Sequence, residues 1–137
     1  MVSNPFEPSS DVEVVSRAIR AVGDLDIEEA RRWLADDLVL ELPFRGGGLP
    51  CTLVGEDAHS FMALLPRIFE RMHFTEVTVH GPTASGVIAA EYVSDGLTKA
   101  GLPYPNVYAA FFEVTDGKIT RWREYFNPDV IVAAGLG

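Results

Sequence analysis

The second half of the chain is a series of β-rich segments separated by turn signals, and this series constrains the fold more than any other feature. The segments cover residues 74–79, 87–97, 104–114 and 118–127, and the turns between them combine glycine with proline, serine or aspartate. Short turns of this kind join strands that are neighbours in an antiparallel sheet. The series therefore predicts an antiparallel meander.

Three helices are predicted ahead of the meander. Ser10 and Glu13 match a capping box, and an apolar stripe at helical spacing follows and stops near Gly23. Asp26 can cap a second helix that ends at residues 35–37, and a third helix covers roughly residues 56–72. Pro66 is expected to bend or interrupt the third helix. Between the second and third helices the apolar period changes to two, which predicts a strand with apolar side chains at Leu38, Leu40, Leu42 and Phe44.

Together these elements predict an α+β fold in which the helices pack on one face of a curved, mostly antiparallel sheet. A sheet that curves around helices leaves an open-ended apolar cone, a common form for a small-molecule pocket. The length of 137 residues suits one domain. We assign residues 1–10 to a loose N-terminal arm and residues 11–137 to the domain.

Composition excludes several classes of partner. The net charge of -9 opposes binding to nucleic acid, whose affinity comes from clustered lysine and arginine. No apolar run is long enough to cross a bilayer, and the first residues lack a secretory signal, so a cytoplasmic location without membrane contact is expected. Cys51 is the single cysteine, and no two histidines have metal-ligand spacing, so no metal or other cofactor is predicted.

The loop at residues 45–50 contains three glycines. A phosphate-binding loop would need a Gly-Lys-Ser/Thr continuation between a strand and a helix, and the sequence lacks both. A mobile flap beside a pocket is the better interpretation.

Glu124 is the residue most indicative of function. Alternation places it between Trp122 and Phe126 on one face of the last predicted strand. A carboxylate held in an apolar cavity has its charged form disfavoured, so its pKa rises and it can exchange protons near neutral pH. The alternative is a structural carboxylate that pairs with a buried arginine or caps a loop.

Asn106 and Tyr108 are candidate partners of Glu124, because they share a face of the neighbouring strand with Phe112. Either side chain could hydrogen-bond a carbonyl or hydroxyl oxygen. The alternatives are a core tyrosine satisfied at the rim and an amide that pairs with backbone. The predicted ligand-binding wall consists of Trp122, Phe126, Phe112, Leu42, Phe61, Met62 and Leu65.

The histidines and the other carboxylates of the strands carry less weight. Glu91 and Asp95 share a strand face, and a paired-carboxylate site there is less favoured than ordinary surface ion pairs. His59 lies early on the third helix, where exposure is the default and a place at the pocket mouth is the alternative.

Several motifs resemble the SnoaL-like branch of the NTF2-like superfamily, which includes ketosteroid isomerase, polyketide cyclases and the phenazine-biosynthesis A/B-type proteins. The resemblance covers roughly residues 11–130. It rests on residues 23–26 and 34–37 around the second helix, on residues 55–57, and on the closing pattern from Asn106 through Asp116-Gly117 to Arg123-Glu124-Tyr125-Phe126-Asn127-Pro128. The resemblance implies a cone-shaped fold and a homodimer formed through the outer face of the sheet.

The resemblance also implies roles for some residues. Glu124 stands where the phenazine-type proteins place an acidic glutamate in an Arg-Glu-aromatic motif. Their third-helix histidine and a nearby serine are replaced by Met62 and Pro66. Ketosteroid isomerases place an aspartate where this chain has Leu42 and a tyrosine where it has Ser16. Neither of these two chemistries is therefore expected in its familiar form.

The resulting hypothesis is a cofactor-free enzyme that acts on an apolar metabolite with a carbonyl or hydroxyl group. Glu124 would transfer a proton in an isomerisation, cyclisation or dehydration, and Asn106 and Tyr108 would orient the oxygen. The alternative is a non-catalytic ligand-binding or dimerisation module of the same fold.

Overall fold

The computed structural model describes residues 10–44 and 51–136. The helices are α1 (Asp11–Gly23), α2 (Ile27–Arg31), α3 (Glu56–Ile68) and α4 (Pro128–Ala133). The strands are β1 (Leu34–Glu41), β2 (Thr52–Val54), β3 (Phe69–His80), β4 (Ile88–Thr98), β5 (Pro103–Tyr104), β6 (Val107–Thr115) and β7 (Lys118–Phe126). The predicted arm at residues 1–9 and the glycine loop at residues 45–50 lie outside the described residues.

The strands form one sheet in the order β2-β1-β7-β6-β4-β3, and β5 pairs with β4. Every pairing is antiparallel except that of β1 with β7, which is parallel. The structure therefore confirms an α+β fold with a mostly antiparallel sheet and three helices ahead of the long strands.

Three cross-strand rows of side chains cover the inner face of the sheet. Tyr92, Tyr108 and Phe126 form one row. Ala90, Ala110 and Glu124 form the next, and Ile88, Phe112 and Trp122 the third. Because alternate residues of a strand face the same side, these rows are the surface that the helices cover. Glu124 is the one charged residue in the three rows.

Helix α1 closes one side of this inner surface. The Ser10 side chain accepts a hydrogen bond of 3.2 Å from the Glu13 backbone, as the capping box predicted. The helix buries Val15, Ala18, Ile19 and Val22. At its last residue, Gly23, an added Cβ would lie 2.7 Å from the Phe74 backbone nitrogen, so only glycine allows β3 to approach so closely.

Several predicted boundaries were wrong. α2 is a five-residue helix, and β1 begins at Leu34 rather than Leu38. α3 ends at Ile68, two residues after Pro66, because Phe69 already pairs with Thr98 on β4. The short β2 and α4 were not predicted.

The outer face of the sheet carries paired charges and exposed aromatic rings. Glu41 accepts hydrogen bonds from Arg121 and Arg123. Tyr125 packs edge-on against Phe44 and Phe111, with ring centroids 5.4 Å and 6.1 Å away. Homodimerisation through this face stays a prediction. Among the described residues, no helix has the length and apolar character needed to span a membrane.

The contact between Gly23 and Phe74 predicts the effect of one added methyl group. Gly23→Ala should lower the free energy of unfolding by roughly 1–3 kcal/mol, because the new Cβ forces α1 and β3 apart. Urea unfolding measures the change, and Arg20→Ala, an exposed position of the same helix, is the control. A Gly23→Ala protein as stable as the wild type would show that the two elements separate without cost.

Candidate functional site

The sheet and helices enclose an apolar cavity of about 160 Å³. Its walls come from α1, α3, the inner sheet face and the segment after β7. They are formed by Val22, Leu40, Leu42, Phe61, Met62, Leu65, Ile68, Phe69, Met72, Phe74, Tyr104, Tyr108, Trp122, Glu124, Phe126, Ile131 and Leu136. A dry cavity of about 150 Å³ is known to hold one benzene ring. The space therefore suits a ligand with roughly one ring inside it.

Phe74 and Glu124 in the sheet are half-buried wall residues, and we assign the opening from the half-buried wall residues that lie outside the sheet. Phe61, Leu65 and Ile68 on α3 are only partly covered, and so is Leu136 beyond α4. The deep wall is buried and includes Leu40, Trp122 and Tyr108. A ligand would therefore enter between α3 and the C-terminal segment.

Glu124 supplies the only carboxylate of the described cavity wall, and no lysine, arginine or histidine lines it. The Tyr92 hydroxyl donates a hydrogen bond of 2.5 Å to Glu124 Oε2. The small side chain of Ala110 lies directly opposite Glu124, which leaves room for the Tyr92 phenol to reach across β6. Among the described residues, the partner of Glu124 is therefore a tyrosine and not the buried arginine of the alternative prediction.

Burial raises the pKa of Glu124 to about 7, from an ordinary value of 4.5. The Tyr92 hydroxyl and the Trp122 indole N–H act in the opposite direction and hold this pKa below what burial alone would give. The Trp122 N–H is buried and its geometry falls short of a hydrogen bond with any described residue. The ionised carboxylate thus accepts a hydrogen bond from Tyr92. The nearby Trp122 N–H also stabilises its charge, although it forms no hydrogen bond within the described part of the chain.

Tyr92 is a site residue that the sequence analysis missed. It is 1% exposed, and burial, followed by the neighbouring Glu124 charge, raises its pKa well above 10. Tyr92 therefore stays protonated and remains a donor at physiological pH. The signal was present in the sequence: Glu91 and Asp95 mark the solvent side of β4, so Tyr92 between them had to point inward.

Tyr108 lies on the cavity wall, as expected. Its hydroxyl is 3.2 Å from both Ser94 Oγ and the Tyr104 hydroxyl. Burial raises the pKa of both phenols, so both keep their protons at neutral pH. The two hydroxyls give the apolar cavity a second polar point besides Glu124.

The prediction that Asn106 contacts the ligand is wrong, because Asn106 does not belong to the described cavity wall. Its side-chain amide is 1% exposed and makes four hydrogen bonds within the protein. An amide has two donor hydrogens and two acceptor lone pairs on its oxygen, so none is left for a ligand. The backbone-pairing alternative describes its role.

The predicted apolar wall is placed as follows. Leu42, Phe61, Met62, Leu65, Trp122 and Phe126 line the cavity. Phe112 does not: it is completely buried and packs against Trp122 with ring centroids 4.9 Å apart. Phe112 therefore supports the wall from behind. β3 and the C-terminal segment also contribute wall residues, which the sequence patterns did not predict.

The secondary candidates prove to be structural. Glu91 pairs with His80 at 3.0 Å and Asp95 pairs with Arg71 at 3.3 Å, all of them on the surface. His59 is buried rather than exposed, and its Nε2 lies 2.9 Å from the Ala35 carbonyl oxygen. Within the described ranges, no group of three or more histidine, cysteine, aspartate or glutamate side chains is arranged to hold a metal ion.

Comparison with known proteins identifies the family. The model of the SnoaL-like domain matches residues 15–122. The chain belongs to the SnoaL-like family. The solved structure of a Bacillus subtilis protein, described as a putative isomerase, superimposes with a TM-score of 0.81 at 27% identity and covers 91% of this chain and 92% of its own. The NTF2-like cone expected from the motifs is thus the observed fold.

Two related proteins align with most of this SnoaL-like chain. The uncharacterized protein YesE of Bacillus subtilis is 29% identical over 136 residues, covering 98% of this chain and 91% of YesE. The epoxide hydrolase EphG of Mycobacterium tuberculosis is 32% identical over 117 residues, covering 82% of this chain and 70% of EphG.

The hydrogen bond from Tyr92 predicts a shift in the titration of Glu124. In Tyr92→Phe the ionised carboxylate loses its donor, so the pKa of Glu124 should rise above about 7. Carboxyl-carbon NMR titration measures it. Tyr125→Phe, next in the chain but on the outer face, should leave it unchanged. A lower pKa in Tyr92→Phe would mean that Tyr92 is not the donor that stabilises the charge.

The raised pKa also predicts a pH-dependent stability. The folded protein holds the Glu124 proton more tightly than the unfolded chain, whose pKa is near 4.5. The stabilisation is therefore complete below about pH 4.5 and is lost as pH rises through about 7. The loss is on the order of 3 kcal/mol.

Glu124→Gln isolates this effect, because the amide does not titrate and its oxygen can still accept from Tyr92. The unfolding free energy of the wild type, minus that of Glu124→Gln, should fall across this pH window in urea titrations. A difference that does not vary with pH would contradict the raised pKa.

Proposed function

We propose that this SnoaL-like protein is a cofactor-free acid–base catalyst that moves a proton on a neutral, ring-sized metabolite bearing a carbonyl or hydroxyl group. One observation carries the proposal: a single carboxylate lines a mostly apolar cavity, without a cation among the described wall residues. Such a group exchanges protons with a bound molecule more readily than an exposed glutamate does. A wall that lacks cations disfavours anionic ligands.

The proposed reaction is an isomerisation. In a ligand with a C=C bond one carbon further from the carbonyl, ionised Glu124 removes a proton from the carbon between the two groups. The C–H electron pair forms a new C=C bond, and the π pair of the carbonyl moves to its oxygen to give a dienolate. A hydroxyl of the Tyr104–Tyr108 pair donates a hydrogen bond to that oxygen. Protonated Glu124 then returns the proton to the carbon at the far end of the dienolate, so the ligand's double bond moves into conjugation with the carbonyl and the protein ends unchanged. The same group could protonate a leaving hydroxyl in a dehydration, or serve a cyclisation.

The pKa of Glu124 supports a role in acid–base catalysis. With a pKa of about 7, comparable amounts of the acid and the base are present at neutral pH. General acid–base catalysis is most effective when the catalytic pKa lies near the working pH. Tyr92 contributes by holding one carboxylate oxygen, which leaves the other free for the ligand.

Epoxide opening is a second candidate, favoured by the match to a protein named as an epoxide hydrolase. Glu124 would take a proton from water as the water oxygen attacks an epoxide carbon. The C–O bond of the epoxide would break, and the freed oxygen would gain a proton to complete a diol. The cavity's second polar point, the phenol pair, would donate that proton, and protonated Glu124 would then give up the proton taken from water so that the phenol is restored.

Exchange of the α-protons of cyclohexanone in deuterium oxide tests the proposal. We expect the wild type to accelerate exchange, with a rate that rises with pH through about 7 as Glu124 ionises. Glu124→Gln should lose roughly 10²–10⁴-fold of the catalysed rate. Proton NMR follows the exchange, and Tyr125→Phe is the control for a surface change.

The outcomes separate the candidate functions. If both the wild type and Glu124→Gln bind cyclohexanone and exchange its protons at equal rates, the protein is a non-catalytic binding module. Cyclohexene oxide, offered in parallel, would give a diol only if the second candidate holds.

A further inference from the structure

The junction between β7 and α4 is held by the side chain of Asn106. Asn106 Oδ1 accepts a hydrogen bond of 2.9 Å from the Asn127 backbone N–H. Asn106 Nδ2 donates one of 3.1 Å to the Asn127 carbonyl oxygen. Both backbone groups of one residue are thus bound by one amide, which extends the β6–β7 pairing past its end at Phe126.

The rest of the Asn106 amide fixes its orientation. Oδ1 also accepts from the Val107 N–H at 2.8 Å, and Nδ2 also donates to the Tyr104 hydroxyl at 3.1 Å. The oxygen therefore faces two N–H donors and the nitrogen faces two acceptors, so the amide cannot flip without losing its bonds. Through Tyr104, this clamp contacts the phenol pair of the cavity.

The segment that follows Asn127 covers the cavity. Asn127 caps α4 by accepting a hydrogen bond of 2.9 Å from Asp129 N–H. The helix ends in a Schellman motif, in which Gly135 N–H donates to Val132 O and Leu136 N–H donates to Ile131 O. Gly135 has a φ of +76°, which this motif requires and glycine tolerates best.

The Schellman motif brings together the two side chains that the segment contributes to the cavity wall. It connects residues Ile131 and Leu136 by a backbone hydrogen bond of 3.1 Å, and both line the cavity. Such motifs commonly place an apolar contact between these two positions. Leu136, like Phe61, Leu65 and Ile68 of α3, is a half-buried residue of the cavity wall.

The segment has limited apolar packing: Val130 and Leu136 pack against the core while half-buried. From Asn127 to Leu136, only Ile131 and Ala134 are buried. Segments with little buried apolar surface open locally at a free energy well below that of global unfolding. The amide clamp adds two hydrogen bonds at Asn127 to this limited packing.

We infer that residues 127–136 form a lid over the cavity and that Asn106 is the positioning residue that clamps its hinge. The inference rests on the ligand-binding part of the proposed function and not on catalysis. A ligand enters and leaves when Ile131 and Leu136 separate from α3. The rate of ligand release then follows the population of the open lid.

The test measures release of 4-fluorophenol, a ring-sized probe with one hydroxyl, by fluorine NMR line shape. Asn106→Ala removes the clamp and should raise the dissociation rate roughly 5- to 30-fold, because two hydrogen bonds to Asn127 are lost. The pKa of Glu124 should fall in the same variant, since an open lid admits water. A residue that only stabilised the fold would leave both quantities as they are in the wild type.

A pair of glycine variants keeps the test decisive if Asn106→Ala does not fold. Gly135 and Gly117 both have a φ of +76°, so an added methyl group strains both alike. Gly117 lies in the β6–β7 turn with no atom within 4 Å of an added Cβ. Gly135→Ala should raise the dissociation rate roughly 5- to 30-fold, whereas Gly117→Ala should not.

Hydrogen exchange of the lid amides gives a readout that needs no ligand. The N–H groups of Ala134, Gly135 and Leu136 should exchange faster in Gly135→Ala than in Gly117→Ala. Equal exchange and equal probe release in the two variants would overturn the lid and make the segment a fixed wall. The lid variants could behave as expected while the wild type fails to accelerate cyclohexanone exchange. That combination would support the lid and refute the catalytic proposal.

Discussion

The hydrogen bond between Tyr92 and Glu124 is the interaction on which the interior of this protein depends. The inner sheet face is built from aromatic and aliphatic side chains, and a carboxylate placed there without a donor would be strongly destabilising. Tyr92 supplies that donor from two strands away, and burial keeps the phenol protonated. The cavity can therefore contain a carboxylate although no other charged side chain belongs to its described wall.

Two glutamates of the same sheet have pKa values that are shifted in opposite directions. Glu41 on β1 faces outward, where hydrogen bonds from Arg121 first, and then Arg123, hold its pKa below the ordinary range despite partial burial. Glu124 on β7 faces inward, where burial raises its pKa. The difference comes from the alternation of side chains along β7, which sends the two arginines to one face and Glu124 to the other. The alternation of side chains along β7 thus separates the outward-facing arginines from the one carboxylate of the described cavity wall.

Alternation was also the part of the sequence that predicted most. It placed Glu124, Trp122 and Phe126 on one face, and the structure has them on the cavity wall. It could not show that Asn106 is saturated by bonds to Asn127, because these bonds join residues 21 apart in the chain. Local patterns also missed β2, which has three residues, and extended α3 too far because tertiary pairing of Phe69 with Thr98 overrides the helical spacing there.

The parallel pairing of β1 with β7 has a consequence for how the chain reaches this fold. Glu41 and Arg121 form a hydrogen bond although they are 80 positions apart in the sequence, and β7 lies between β1 and β6 in the sheet. During synthesis, β1 and β6 therefore each present an unpaired edge until β7 has left the ribosome. Non-local pairing of this kind slows folding, and open strand edges invite association with other chains. Completion of the sheet is thus a late event in the life of the nascent chain, and the interval before it is when this protein is most exposed to aggregation.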